Sequence, residues 1–143
     1  MGSVIKMIVL AVDLGHRRTG LAVSDRMGML ASSLGVIDEK NDDRILEKVA
    51  AAVKEQKAEH IVVGLPRNMD GSEGEAAQRA RDFGNKLAKR TGLPVTMQDE
   101  RGTTITAHAY MSAGEVYGKK RKQRVDAVAA SIILQDYLDS RKG

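Results

Sequence analysis

The sequence predicts an α/β fold in which a five-stranded mixed β-sheet is flanked by helices on both faces. The first observation is an almost unbroken apolar run, Ile5 to Val12, which is typical of a central strand covered on each side. The second is the order of elements, because three strands that can pair through hairpins precede strands that alternate with helices. With 143 residues, 42% of them hydrophobic, we expect one domain over residues 1–143, of which residues 1–3 are a disordered or vector-derived start.

The first half of the chain supplies three strands and a helix. After the apolar run, short strands are predicted at Gly20–Ser24 and Leu30–Ile37, and the three together indicate an antiparallel meander. Asn41–Asp43 then caps a helix that extends to about Gln56. One stripe of that helix is apolar and is formed by Ile45, Leu46, Val49, Ala50 and Val53.

The second half alternates strands with helices. His60–Pro66 is the fourth predicted strand. Ser72 with Glu75 matches a capping box that opens a helix to roughly Arg90. Pro94–Glu100 is the fifth strand, and it is followed by two helices, predicted at Thr103–Ala113 and Val125–Leu138.

Three carboxylates stand where these elements end or begin. Asp13 closes the first strand, Glu100 closes the last, and Asp126 lies in the first turn of the final predicted helix, on an otherwise apolar face. Parallel central strands would bring the first two to one rim of the sheet, where open α/β sheets bind ligands. Neighbouring carboxylates repel unless a cation lies between them, and oxygen ligands suit Mg²⁺ or Mn²⁺. The pattern favours a metal site, although each acid alone also fits a turn, an ion pair with Arg101 or a helix N-terminus.

Composition narrows the class of protein. There is no cysteine, which excludes disulfides, thiolate zinc sites and a cysteine nucleophile, and we expect a cytoplasmic location. No apolar run approaches the roughly 20 residues of a membrane span, so no membrane partner is expected. A net charge of +4 and a pI near 9.4 favour a polyanion such as nucleic acid. With one Phe, three Tyr and no Trp, charge and backbone shape must carry that contact rather than aromatic stacking.

Cations and a polar loop near the three acids are the candidate nucleic-acid contacts. Gly15 and Gly20 suit a tight hairpin that leaves room for a phosphodiester, and the loop Gly64–Gly74 presents backbone N–H groups to an anion. Each feature also has a plainer interpretation, namely an ordinary hairpin, a capped turn and, for the basic run, a solvated loop. The candidates are Arg17, Arg18, Arg67, Asn68, Arg101, Lys119, Lys120, Arg121, Lys122 and Arg124, with Ser72 as a further polar contact.

Four segments together resemble the YqgF (RuvX) family, whose members are described as Holliday junction resolvases and as nucleases that mature pre-16S ribosomal RNA. They are DLGHRRTGLAVSD, VVGLPRNMDGSEG, QDERGTT and KKRKQRVDAVAASIILQDYLD, and the likeness extends over about residues 7–139. The resemblance implies an RNase H-like fold. Its motifs also place the metal-binding acids at Asp13, Glu100 and Asp126.

The sequence therefore predicts a nuclease that hydrolyses phosphodiester bonds of structured nucleic acid with two Mg²⁺ or Mn²⁺ ions. The resemblance implies pre-16S rRNA or a Holliday junction as the substrate, with ribosomal precursor particles as a candidate partner. A non-catalytic nucleic-acid-binding or ribosome-assembly factor that retains the fold is the alternative. A nucleotide-binding ATPase is a third class, because DLGHRRTG is also similar to the first phosphate loop of the actin and sugar-kinase superfamily, which generally uses two such domains. Monomer and homodimer both stay open.

Overall fold

The computed structural model describes residues 7–100 and 118–141, the latter with side chains from Ala127 onward. Five strands form one sheet in the order β3-β2-β1-β4-β5. β1 pairs antiparallel with β2 and parallel with β4, and β5 runs parallel to β4, so the sheet is mixed as predicted. The strands are β1 Val9–Leu14, β2 Arg18–Ser24, β3 Ala31–Asp38, β4 His60–Leu65 and β5 Val95–Asp99.

The antiparallel meander of β1, β2 and β3 is confirmed, but the first hairpin is tighter than the sequence suggested. β1 continues through Asp13 to Leu14, and β2 begins already at Arg18. Asp13 therefore lies at the end of β1 as predicted, one residue before its last, and pairs with Gly20 of β2. A side chain at Gly15 would collide with the carbonyl oxygen of Arg18, so the short connection requires glycine there.

The first two helices cover one face of the sheet. α1 is Asp42–Gln56, and its predicted cap is confirmed because the Asn41 side chain accepts a hydrogen bond from the Arg44 N–H at 3.0 Å. α2 is Glu75–Thr91, and its predicted capping box is wrong. Gly74 is the N-cap and makes no side-chain cap bond, since the Ser72 hydroxyl donates instead to Asp70 at 2.6 Å.

The last helix, α3, covers the opposite face and spans Gly118–Ser140. Its predicted start at Val125 is wrong. Lys, Arg and Gln are good helix formers, so the helix extends through the basic run as far as Gly118. The sequence prediction relied on the apolar stripe alone, which begins only at Val125. Asp126 consequently lies about two turns inside α3 rather than in its first turn. The predicted helix Thr103–Ala113 lies outside the described residues.

The core has one layer on each face of the sheet, as the apolar run of β1 predicted. Leu10 and Val12 of β1 join the core beneath α1 and α2, while Val9 and Ala11 join the core beneath α3. Burial of a Val or Leu side chain contributes about 1.5–3 kcal/mol. The α3 side chains that pack against the sheet are Ala130, Ile133, Leu134, Tyr137 and Leu138.

The helices can also be assessed as membrane spans. Over residues 7–100 and 118–141, none is both long enough and apolar enough to cross a bilayer.

Candidate active site at the sheet rim

Asp13 lies on the sheet face that α3 covers, because it alternates in phase with the β1 residues of the α3-side core. Its partner across β2 is Gly20. Continuing the parallel β1–β4 register by one residue places Gly64 beside it on β4. Asp13 is thus flanked on both neighbouring strands by a residue without a side chain, which leaves space around its carboxylate.

Glu100 fills part of that space. It follows β5 directly, and its N–H donates to the Leu65 carbonyl at 3.1 Å, which fixes it beside the end of β4. A Cβ added to Gly64 would lie 2.9 Å from the Glu100 carboxyl carbon and 2.8 Å from Ile133 Cδ1 of α3. The Glu100 carboxyl group therefore occupies the position above Gly64, where it shares a hydrogen bond with Asp13.

The electrostatics of this acid pair are unfavourable. Burial, followed by the charge and hydrogen bond of Asp13 and the charge of Asp99, raises the pKa of Glu100 to about 9. Two carboxyl groups that share a hydrogen bond, as Asp13 and Glu100 do, are not both ionised unless a cation compensates their charge. Their hard oxygen atoms are the ligands that Mg²⁺ and Mn²⁺ prefer, so the donor set fits such an ion.

The third predicted ligand, Asp126, is described only as helical backbone. α3 runs towards the site in its N-terminal direction, because Tyr137 stacks on His60 at the start of β4 while Ile133 lies against Gly64 near the end of β4. Asp126 stands two helical turns before Ile133 on the same helix face, which continues this direction towards the rim that holds Asp13. Within the described part of the chain, no three His, Cys, Asp or Glu residues form a group that could hold a metal ion. The three-acid ligand set stays a prediction.

Arg18 is the predicted phosphate contact that the structure places on the same face as Asp13. It begins β2, two residues before Gly20, at the end of the sheet where β1 finishes. Its Nε is buried and makes no hydrogen bond to the residues that the structure describes. Arg17, by contrast, is an exposed hairpin residue whose carbonyl accepts the Glu39 N–H at 3.2 Å.

Arg67, another predicted phosphate contact, forms ion pairs with acids at the same rim, on the face that α1 and α2 cover. Its Nε lies 3.3 Å from Glu73 and its Nη1 3.7 Å from Asp99, while Arg81 grips Glu73 with two bonds of 2.8 Å. The Arg67–Glu73 contact is an ion pair without good hydrogen-bond geometry, since the Nε finds no directed acceptor. The hydrogen bond from Arg81, and the charges of both arginines, lower the pKa of Glu73 to about 2.

The polar residues predicted in the next loop build the loop itself. The Asn68 side-chain amide donates to the Ser72 hydroxyl at 2.8 Å, and Asp70 accepts from both the N–H and the hydroxyl of Ser72. The Asn68 amide and the Ser72 hydroxyl, which the sequence suggested as substrate contacts, therefore form hydrogen bonds within the loop and hold it in shape.

The remaining predicted cations cannot be placed as side chains. Arg101 lies outside the described residues, and the basic run is described only as helical backbone at Lys119, Lys120, Arg121, Lys122 and Arg124.

Arg79 is a site-supporting residue that the sequence did not reveal. Its Nη1 donates to the Gly15 carbonyl at 2.8 Å, and its other nitrogens bind the Asp42 carboxylate at 2.6–3.3 Å. It thereby joins α2 and the start of α1 to the hairpin that follows Asp13. No sequence spacing links these positions, because the contact exists only once two helices have packed on the sheet.

The strand order and mixed pairing, with helices on both faces of the sheet, are those of an RNase H-like domain. The chain belongs to the RuvX family, described as Holliday junction resolvase, whose family model matches residues 7–140. This confirms the resemblance found in the sequence and the RNase H-like fold that it implied.

Relatives and solved structures agree with that membership. A protein of Halothermothrix orenii with the name "Putative pre-16S rRNA nuclease" is 43% identical over 133 residues, covering 93% of this chain and 95% of the relative. One of the same name from Lactococcus lactis subsp. cremoris is 42% identical over 134 residues, covering 92% and 94%. Thermus thermophilus RuvC, solved alone and with a Holliday junction substrate, shares the fold with a TM-score of 0.58 at 16% identity. That likeness covers 94% of this chain and 95–96% of RuvC.

Proposed function

We propose that this protein is a metal-dependent nuclease that hydrolyses phosphodiester bonds of structured nucleic acid. The observation that supports this proposal most strongly is the Asp13–Glu100 carboxyl pair, which lies in a space that Gly20 and Gly64 keep open. The nuclease names of the relatives and the resolvase description of the family support this class of reaction.

Asp13 and Glu100, with Asp126 as the third ligand, would hold Mg²⁺ or Mn²⁺. When bound, such ions activate water and stabilise the leaving oxygen in phosphodiester hydrolysis. The protein's own part is rigid placement: Asp13 is fixed in the β1–β2 ladder, and Glu100 is fixed by its N–H bond to Leu65. Arg18 then offers a guanidinium to a phosphate on the same face.

The substrate is a structured nucleic acid, either the 5′ region of pre-16S rRNA, after the names of the relatives, or a Holliday junction, after the family description. Both present a charged backbone in a defined shape, which a basic protein with few aromatic residues recognises through phosphates.

The test compares wild type with Asp13→Asn and Glu100→Gln on a labelled four-way DNA junction, a pre-16S rRNA fragment and single strands. Each is incubated in Mn²⁺, in Mg²⁺ and in EDTA. We expect cleavage only with metal, and a loss of at least about 100-fold in both variants while binding persists. Glu55→Gln, which removes an exposed carboxylate of α1, is the matched control and should cleave like wild type.

The outcomes separate the candidate functions. Salt-sensitive binding by wild type with no cleavage under any metal condition would instead identify a non-catalytic nucleic-acid-binding factor. Cleavage that survives in Asp13→Asn would remove the acid pair from the reaction.

A further inference from the structure

The loop between β4 and α2 leaves the sheet at the centre of the candidate site. β4 lies between β1, which carries Asp13, and β5, which leads into Glu100. The loop begins directly after Leu65, whose carbonyl accepts the Glu100 N–H. The loop then runs on to α2, which covers the opposite face, so its residues lie at the same rim of the sheet as the two acids.

The loop is held in one shape by its own hydrogen bonds. The Asn68 N–H donates to the Ser72 carbonyl at 2.8 Å, and the Gly71 N–H donates to the Asn68 carbonyl at 2.8 Å. Gly71 has a φ of 90°, a conformation that favours glycine. Asn68 and Asp70 turn their side chains inward to Ser72, and the ion pairs of Arg67 with Glu73 and Asp99 fasten the base of the loop.

Met69 stands at the tip of this loop, between the two residues whose side chains turn inward. It is 74% exposed, more than any other large hydrophobic residue in the described part of the chain. Single exposed apolar residues are common on protein surfaces. This one differs because a rigid loop holds it out at the rim of a site for a polyanion.

The aromatic residues of the part of the chain that the structure describes are both buried. Phe83 is 3% exposed and Tyr137 is 4% exposed, so neither aromatic residue of the described chain faces solvent to stack on a base. Methionine is among the apolar side chains that proteins insert between base steps to unstack and kink nucleic acid.

We propose that Met69 is an apolar wedge that contacts and unstacks a base close to the phosphodiester that the acid pair attacks. The inference rests on the proposed nuclease function and adds a determinant of substrate shape to it. Met69 is five residues beyond Gly64, which limits its reach to about 17 Å, or about five base steps of 3.4 Å. The wedge selects nucleic acid that is already bent or unpaired near the cleavage position, because less stacking is lost there.

The first experiment measures base unstacking without cleavage. A four-way DNA junction and a pre-16S rRNA fragment carry 2-aminopurine at successive positions within five steps of the cleavage position, and the protein carries Asp13→Asn. Binding should raise the fluorescence at one position, and adding Met69→Ala should remove at least half of that rise. Met69→Leu should retain it. Met27→Ala is the matched control, since Met27 is a 48% exposed methionine in the β2–β3 turn at the opposite rim.

The second experiment measures cleavage with the catalytic acids intact. Met69→Ala should cut a fully stacked substrate about 10-fold more slowly and should recover wild-type rate when the identified base is replaced by an abasic position. Unchanged fluorescence in Met69→Ala at every position, or no rescue by the abasic substrate, would overturn the wedge while cleavage by wild type still upholds the nuclease. Absence of wild-type cleavage alongside a Met69-dependent fluorescence rise would overturn the nuclease and leave Met69 as a base contact of a non-catalytic nucleic-acid-binding protein. If neither nucleic acid binds, both fail.

Discussion

Acids on the two sides of the sheet are in opposite electrostatic situations. On the α1–α2 side, arginines hold Asp42, Glu47 and Glu73 by hydrogen bonds, and the pKa of each acid is lowered. On the α3 side, the pKa of Glu100 is raised by burial and by two other acids, Asp13 and Asp99. Exposed ion pairs change the stability of a fold little, whereas a buried acid pair without a cation costs stability and is typical of a functional site. The raised pKa of Glu100 therefore distinguishes the α3 side of the rim as the candidate site.

The largest effect that tests this contrast should come from filling the space above Gly64. In Gly64→Ala the new methyl group would overlap the Glu100 carboxyl group and Ile133 Cδ1, so these buried side chains must shift, and we expect the Glu100 carboxyl group to move away from Asp13. We expect a loss of about 1–3 kcal/mol in the free energy of unfolding and a fall of about 100-fold or more in cleavage. Urea unfolding and initial cleavage rates measure the two effects.

A second glycine provides the control for that substitution. A Cβ at Gly84 of α2 would lie 3.1 Å from the Met97 sulfur, the flexible part of a side chain far from the acids. Gly84→Ala should leave cleavage unchanged, and helix propensity should offset the tighter contact in stability. Equal loss of cleavage in both variants would mean that general packing, rather than the position of Glu100, limits activity.

The next effect is a metal-dependent gain in stability that only the α3-side acids should control. A ligand that binds the folded state alone adds about 2.7 kcal/mol at 100 times its Kd. Mn²⁺ should therefore raise the melting temperature of wild type, and EDTA should reverse the rise. Asp13→Asn and Glu100→Gln should lose the response, while Glu47→Gln, on the α1–α2 side, should keep it. A full response in Asp13→Asn would place the ion elsewhere.

Sequence reasoning was most successful where local pattern determines structure. Residues that are close together in the sequence determine three features, namely the apolar run of β1, the Asn41 cap and the apolar stripe of α1. Each of them is present in the structure. It failed at Ser72, because the same residues that match a capping box can instead close a turn through Asp70. It also failed at the start of α3, where charged helix formers resemble a loop.

The candidate site divides in the same way. Asp13 and Glu100 were identified as a pair because the carboxyl ends of parallel strands share a rim, which a strand order can reveal. Gly20 was also singled out for the room it leaves after Asp13, although it lies within β2 rather than in the hairpin. The role of Gly64 was not identified, since it depends on neighbours across the sheet and on α3. Arg79 was missed for a similar reason, because its partners at Gly15 and Asp42 are brought to it only by tertiary packing.

A smaller effect is expected for Arg79→Ala, which breaks the contacts with Asp42 and the Gly15 carbonyl. Because Asp42 is 44% exposed, we expect a loss of only about 1 kcal/mol in unfolding free energy. Loosening of the hairpin beside Arg18 should also raise KM more than it lowers kcat. Arg79→Lys should not restore the lost stability or the KM, because a lysine lacks the planar guanidinium group that binds the Asp42 carboxylate and the Gly15 carbonyl together. Additive losses in the double variant with Asp42→Asn would show that the two side chains are not coupled.

The smallest effect concerns pH on the α1–α2 side. Glu73 has a pKa of about 2 in the folded protein and an ordinary value of 4.5, so the unfolded chain binds its proton first as pH falls. Its contribution to stability is thus complete above pH 4.5 and is lost progressively as pH drops from 4.5 towards 2. Glu73→Gln should flatten the wild-type decline in melting temperature across this window while changing little at pH 7, since the ion pairs are solvent-exposed and screened. The same decline in both proteins would mean that Glu73 does not contribute and that the other arginine-bound acids of this side, Asp42 and Glu47, carry its acid sensitivity.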